Sequence, residues 1–133
     1  MKRYDYMSRE WAAEVKKQLQ ADLPAEKMKF ITTSMSNIYT NCPDGKVRYL
    51  FFKCEKGEFT EVRVGDGDPP AADFRITGDH ALFSLISQAK MKSQRALMTG
   101  KLKLRGNMVK ALKLASLADR MNAVIATVPT NFG

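Results

Sequence analysis

Three consecutive strand-like segments, separated by short turn signals, constrain the fold of this chain more than any other feature. The segments cover 27–41, 46–54 and 58–64 and are rich in Thr, Ile, Tyr, Val and Phe, residue types that favour strands. The first two segments are separated by Cys42-Pro43-Asp44-Gly45 and the last two by Lys56-Gly57, and both are turn signals. The pattern predicts two successive antiparallel hairpins.

Turn positions predict which side chains share a face of this sheet. Pairing Cys42 with Lys46 sets Tyr39 opposite Tyr49, and the second turn sets Phe51 opposite Val62. The expected core face then carries Ile31, Met35, Tyr39, Val47, Tyr49, Phe51, Val62 and Val64. The opposite face carries Ser34, Ser36, Glu61 and Arg63, with Ile38, Leu50 and Phe52 among them. A slip of one residue would exchange the faces of a strand.

Helical patterns flank these strands on both sides. Ser8 is a plausible N-cap for a helix with the apolar stripe Trp11, Val15 and Leu19, ending at Leu23-Pro24. After a loop at 65–70, we expect a strand over 72–76, a helix capped by Asp79 that runs to about 89, and a helical turn over 93–98. A fifth strand follows over 100–106, with Leu102 and Leu104 inward. Asn107 is then expected to cap another helix, whose periodicity continues to about 126.

The predicted architecture is an α+β fold with a five-stranded, mostly antiparallel sheet and helices packed mainly on one face. A chain of 133 residues has room for one ordinary domain. We therefore expect a single domain over 1–133, in which 1–24 forms an N-terminal amphipathic helix and 25–133 forms the sheet and a helical lid.

The net charge of +8 belongs to one stretch of the chain. Residues 1–89 hold 13 basic and 13 acidic side chains, whereas 90–120 hold nine basic side chains and one acidic, Asp119. Such a stretch could face an anionic membrane, an acidic partner or nucleic acid, or be an ordinary solvated surface.

Catalytic and metal-binding patterns are sparse in this sequence. His80 is the single histidine and follows a helix cap, and the spacing of Cys42 and Cys54 fits neither a zinc site nor a nucleophilic pair. In the predicted hairpin their sulfurs lie more than ~20 Å apart, too far for a disulfide. Asp66-Gly67-Asp68 begins like a calcium loop but is interrupted by Pro69-Pro70. We expect no enzyme activity, cofactor or metal.

The most distinctive motif lies in the second half of the chain and reads Gly100-Lys101-Leu102-Lys103-Leu104-Arg105-Gly106-Asn107-Met108. A short helix with Ala96 precedes it, and an amphipathic helix with Lys113-Leu114 follows. Upstream, Ala71-Ala72-Asp73-Phe74-Arg75-Ile76-Thr77 forms a strand-like run. Together these segments resemble the sterol carrier protein-2 family of lipid-transfer domains. The resemblance is strong over 71–117 and only architectural over 25–65.

The resemblance implies a carrier whose sheet and helical lid enclose an apolar tunnel for a fatty acyl chain, a fatty acyl-CoA, a sterol or a phospholipid. Combined with periodicity, it predicts ligand contacts at inward strand and helix positions. These are Met35, Phe51, Leu82, Phe83, Ile86, Leu102, Leu104, Met108, Leu112, Met121 and Ile125.

Two features of this sequence differ from the eukaryotic members of the family and narrow the kind of member that we expect. The last three residues are not a peroxisomal address, and Arg105 stands where the family often has a small or uncharged residue. We expect a free-standing prokaryotic member for which a sterol is a doubtful ligand. With no apolar run of about 20 residues and no signal-peptide pattern, a cytoplasmic location is expected.

Alternatives remain open at this point. The cations could bind nucleic acid, although the stretch lacks interleaved aromatic residues for stacking. Ile38, Leu50 and Phe52 could form an apolar patch for self-association, so both monomer and homodimer are open. As a lipid carrier, the chain is expected to contact anionic membranes transiently through its cations, namely Lys101, Lys103, Arg105, Lys110 and Lys113.

Overall fold

The computed structural model describes residues 2–132. In chain order the elements are β1 (Tyr4–Asp5), α1 (Arg9–Asp22), β2 (Thr33–Thr40), β3 (Arg48–Glu55), β4 (Glu58–Asp66), β5 (Phe74–Asp79), α2 (His80–Ser87), α3 (Ser93–Met98), β6 (Lys103–Arg105), α4 (Met108–Ile125) and β7 (Thr130–Asn131). The α+β class is confirmed.

Five strands form the main sheet in the order β4-β3-β2-β5-β6. The central pair β2–β5 is parallel and the other three pairs are antiparallel, which confirms a mostly antiparallel sheet. The two-residue strands β1 and β7 pair in parallel, a pairing too short to leave a pattern in the sequence. One continuous set of buried apolar side chains extends from Met7 to Val128.

The first hairpin closes one residue earlier than the sequence predicts. The amide of Gly45 donates to the carbonyl of Cys42 at 2.9 Å, so the turn needs only Pro43 and Asp44 at its centre. As a result Ile38, and not Tyr39, lies opposite Tyr49.

The second hairpin turns at Lys56-Gly57 as predicted, with Glu55 opposite Glu58. Both turn residues have positive φ, +50° and +84°, as two-residue hairpin turns require. A bulge follows, because Cys54 lies opposite Phe59 while Lys53 lies opposite Glu61. The extra residue shifts the register, so Phe52 rather than Phe51 faces Val62.

Because of these two register shifts, β3 is the one strand whose inward and outward faces are exchanged relative to the prediction. Leu50 and Phe52 belong to the core between sheet and helices, as do Met35, Tyr39 and Val62 on the neighbouring strands. The predicted inward positions of Tyr49 and Phe51 are therefore wrong, and Val47 lies exposed before the strand.

Tyr49, Phe51 and Ile38 are buried on the other face of the sheet. The loop between β4 and β5 is fastened across this face by two hydrogen bonds. Ser36 Oγ donates to the Pro70 carbonyl at 3.0 Å, and the Asp73 amide donates to Ser34 Oγ at 2.9 Å. The predicted self-association patch of Ile38, Leu50 and Phe52 is thus wrong, since all three side chains are buried within the chain.

Two of the three predicted helix caps are confirmed. Ser8 Oγ accepts from the Trp11 amide at 3.1 Å, and Asn107 Oδ1 accepts from the Lys110 amide at 3.0 Å. Asp79 precedes α2 but does not cap it with its side chain; its Oδ1 accepts instead from Thr40 and Asn41. Within residues 2–132, none of the helices combines the length and apolarity needed to cross a membrane.

Candidate functional site

An apolar cavity lies between the helices and the inward face of the sheet. Its volume is about 80 Å³, counted as the space that the centres of water-sized molecules can occupy. The sheet contributes Met35, Leu50, Phe52, Phe74 and Ile76 to its wall, and the helices contribute Phe83, Ile86, Leu97, Ala111, Ala115, Leu117 and Met121. Met28, Ile31 and Leu102 add to it from the loops.

Five of the predicted contact residues lie on this wall, namely Met35, Phe83, Ile86, Leu102 and Met121. Phe51 does not, because the register of β3 places it on the opposite face. The predicted contact at Phe51 is therefore wrong for this cavity, and its neighbours Leu50 and Phe52 take that place.

The other predicted contacts lie off the wall. Leu82, Leu104 and Leu112 are half-buried and pack against the core, and Ile125 is buried within it. Met108 opens α4 with 49% of its surface exposed. Helical periodicity finds the whole inward stripe of a helix, whereas the cavity touches only part of that stripe.

Small side chains on α4 were missed by the sequence reasoning. Ala111, Ala115 and Ala118 all line the cavity, and their spacing places them on one face of the helix. Methyl side chains fill little volume, so this face leaves the space open. Alanines repeated at intervals of four and three residues within an apolar stripe are the signal that could have revealed it.

A hydrogen-bonded hydroxyl cluster forms part of the cavity wall. Tyr39 and Ser87 line the cavity, and each lies 2.7 Å from the Tyr6 hydroxyl. Burial raises the pKa of Tyr6 to about 12 and raises that of Tyr39 well above its usual value. Both tyrosine hydroxyls are therefore neutral at physiological pH, and the Tyr6 hydroxyl bonds to Tyr39 and to Ser87.

A wider cleft adjoins the cavity and shares Ile31, Thr33, Phe74 and Leu114 with its wall. Its remaining lining is polar and consists of Thr32, Asp73, Asn107, Lys110 and Lys113. The carboxylate of Asp73 accepts from Thr33 Oγ1 at 3.3 Å. In the part of the chain that the structure describes, all salt bridges lie between residues 44 and 66, so both cleft lysines are unpaired there.

The predicted cationic set divides between two surfaces. Lys110 and Lys113 belong to the cleft, while Lys103 and Arg105 are exposed on either side of the inward Leu104 and so point to the outer face of the sheet. Lys101 is exposed in the turn before β6.

The titratable side chains form no metal cluster within residues 2–132. The imidazole of His80 packs against the rings of Tyr6 and Tyr39 at 5.6 and 5.9 Å between centroids, and burial lowers its pKa. Both cysteines are free and buried. Cys54 lies on the cavity wall, where burial raises its pKa to about 11.

Comparison with solved structures gives the same fold. A crystal structure of sterol carrier protein 2 superposes with a TM-score of 0.81 at 19% identity, covering 93% of this chain and 99% of that one. The solution structure of palmitated SCP2L2 from Aedes aegypti superposes with a TM-score of 0.59 at 21% identity, covering 84% and 94%.

Sequence comparison finds relatives that match part of this chain. Non-specific lipid-transfer protein-like 1 of Caenorhabditis elegans is 39% identical over 56 residues, which are 42% of this chain and 48% of the relative. Hydroxysteroid dehydrogenase-like protein 2 of Xenopus laevis is 40% identical over 76 residues, 56% of this chain but 17% of the relative. The chain thus spans about half or less of these relatives.

The family comparison covers most of the elements described above. A model of the SCP-2 sterol transfer family matches residues 14–119, from α1 through β6 and into α4. The motif around Gly100–Met108, the mixed five-stranded sheet and this match agree, and the chain belongs to the SCP-2 sterol transfer family.

Proposed function

We propose that the chain is a non-catalytic carrier of a single-chain amphipathic lipid, a fatty acid or a fatty acyl-CoA. The acyl tail occupies the apolar cavity and the anionic head group lies in the adjoining cleft. One observation carries the proposal: the apolar cavity and the cleft with Lys110 and Lys113 share part of their walls.

Burial of the tail supplies the binding free energy. Each methylene moved from water into an apolar site gains ~0.8 kcal/mol, so a myristoyl chain gains on the order of 10 kcal/mol before the entropy of binding is subtracted. A cavity of about 80 Å³ admits a narrow segment of tail. A longer tail needs movement of Met28, Met35 and Met121, and flexible thioethers suit such a wall.

The cleft supplies charge for the head group. Lys110 and Lys113 are exposed, so each contributes a modest, salt-screened attraction to a carboxylate or phosphate. Asp73 opposes this attraction, but its carboxylate already accepts from Thr33 and the cleft keeps a net positive charge. Related proteins agree with this ligand class, since one relative is named a lipid-transfer protein and one fold neighbour is palmitated.

We further propose that loading occurs at an anionic bilayer. Phe30 precedes the shared wall residue Ile31 and is 63% exposed, and Val109 precedes Lys110 and is 64% exposed. Apolar side chains next to lysines suit contact with an anionic lipid surface. The other exposed cations, Lys101, Lys103 and Arg105, would add long-range attraction.

A displacement titration tests the carrier function. Delipidated protein is titrated with a fluorescent fatty acid, which is then displaced by palmitate or palmitoyl-CoA. The Ala115→Phe variant fills the cavity and should weaken binding at least about tenfold, at a cost in stability of about 1–3 kcal/mol. Ala123→Phe places the same ring on the exposed side of α4 and should bind like the wild type. Equal binding by all three proteins would contradict a site in the cavity.

A further inference from the structure

The cavity wall holds one amide that has no hydrogen-bond partner. Asn37 lines the cavity, lies within the described part of the chain, and none of the side-chain hydrogen bonds found there involves it. Asn37 is half-buried, and every side-chain nitrogen or oxygen in residues 2–132 that is closed off from solvent has a partner, so the polar atoms of Asn37 remain accessible to water.

The other polar side chains of the wall are already engaged. Thr33 donates to Asp73, and Tyr39 and Ser87 are bonded to Tyr6. Asn122 donates to Ser93 Oγ at 3.2 Å and to the Ala118 carbonyl at 3.0 Å. Among the hydroxyl and amide side chains of the described wall, Asn37 is thus the one that makes no hydrogen bond within the protein.

The position of Asn37 in the sheet places its amide among apolar side chains. Asn37 lies midway along β2, between Leu50 of β3 and Ile76 of β5. It alternates with buried Ser36 and Ile38 and therefore points to the same side as Met35 and Tyr39, which both line the cavity. The amide is surrounded by apolar neighbours on the wall itself.

An amide that only water satisfies becomes costly when an apolar guest displaces that water, because its polar atoms are then buried without a partner. The same amide favours binding of a guest that offers a polar atom, since it can both donate and accept. A purely hydrocarbon tail would leave the amide without a partner and remove any water bound to it. The position therefore discriminates between tails by their polarity.

We propose that Asn37 is a specificity-determining residue that selects a lipid carrying an oxygen, as a hydroxyl or a ketone, within its tail. The proposal rests on the carrier function and specifies the class of lipid. The oxygen lies beyond the head group, because Asn37 belongs to the cavity and not to the cleft that holds the lysines.

Matched fatty acids test this proposal. Stearic acid and a set of monohydroxystearic acids, differing in the position of the hydroxyl, are titrated into the delipidated wild type, Asn37→Leu and Ser36→Ala. For at least one positional isomer, the ratio of the affinity for the hydroxy acid to that for stearic acid should fall about tenfold in Asn37→Leu. Ser36→Ala removes a hydroxyl from the outer face of the same strand and should keep the wild-type ratio.

The outcomes separate this inference from the carrier function. Binding of stearic acid with the same ratios in wild type and Asn37→Leu overturns the role of Asn37 and leaves the carrier function standing. Binding of none of these acids by folded wild type overturns both. If Asn37→Leu does not fold, the NMR resonances of the Asn37 side-chain amide in the wild type provide the test. These resonances should shift further when a hydroxy acid binds than when stearic acid binds, and equal shifts overturn the proposal.

Discussion

The two faces of the sheet differ in what they pack against, although neighbouring residues of one strand supply both. On the inward face, Leu50 and Phe52 border an open cavity. On the outer face, Tyr49 and Phe51 are also buried, and Ser36 on this face fastens the loop between β4 and β5 through Pro70. Aromatic side chains are thus buried on both faces, and the inward face borders the cavity.

This difference shows that an apolar wall becomes a binding site through what faces it. The inward wall faces α4, whose Ala111 and Ala115 do not reach far enough to fill the space. The outer wall faces a segment of chain that is fixed by hydrogen bonds. The proposed binding role therefore belongs to the inward face, and we expect the outer face to contribute stability.

Truncation of Phe51 or Phe52 is expected to give the largest effects and to distinguish the outer face from the inward face. Phe51→Ala and Phe52→Ala each remove a buried ring and should each lower the free energy of unfolding by about 3–5 kcal/mol, measured by urea denaturation. Only Phe52→Ala enlarges the cavity, so only this variant should increase the affinity for arachidic acid relative to lauric acid. A changed ratio in Phe51→Ala would contradict the assignment of the faces.

Cysteine reactivity should report occupancy of the cavity. Cys54 lines the cavity, whereas Cys42 does not, and the single-cysteine variants Cys42→Ser and Cys54→Ser isolate each thiol. Palmitate should slow modification of Cys54 by a thiol reagent about tenfold and leave Cys42 unchanged. Burial raises the pKa of Cys54 to about 11. The rate of its modification should therefore increase about tenfold with each unit by which the pH is raised, until the pH reaches that pKa. Equal protection of both thiols would indicate a general tightening of the fold.

Removal of the Ser36 hydroxyl should affect the outer face alone. Ser36→Ala breaks the hydrogen bond to the Pro70 carbonyl and should lower the free energy of unfolding by about 1 kcal/mol. Lipid affinity should stay at the wild-type value in the displacement titration. A loss of affinity would mean that the loop on the outer face also shapes the cavity.

The smallest effect is expected from the lysines of the cleft. Replacing Lys110 and Lys113 with Gln should weaken binding of palmitate about threefold for each lysine, and less at high salt. Binding of methyl palmitate should not change. The control, Lys103→Gln with Arg105→Gln, removes the same charge from the outer face and should leave both affinities unaltered. Equal losses in the two variants would indicate attraction by net charge rather than a head-group site.

The sequence predicts the elements of this fold well and the site only in part. Strand composition, the caps at Ser8 and Asn107, and the turn at Lys56-Gly57 are local features, and the structure confirms them. The face of β3 depends on one hydrogen bond between Gly45 and Cys42 and on a bulge beside Lys53. No periodicity reveals a shift of one residue at such points.

Cavity residues are harder to predict because space is a property of several elements together. Ile125 and Met121 share the inward stripe of α4, yet the first packs within the core and the second borders the cavity. Asn37 looks like a polar residue of a half-exposed strand until Leu50 and Ile76 are placed on either side of it. Its significance arises only when the sheet is assembled.

Native mass spectrometry of the delipidated chain with palmitate tests the carrier account most directly. A carrier with its site in the cavity should form a complex of one palmitate per chain in the wild type, strongly reduced in Ala115→Phe and retained in Ala123→Phe. Folded wild-type protein that holds no palmitate at micromolar concentration, or holds it equally after the cavity is filled, would contradict a lipid site between the sheet and α4.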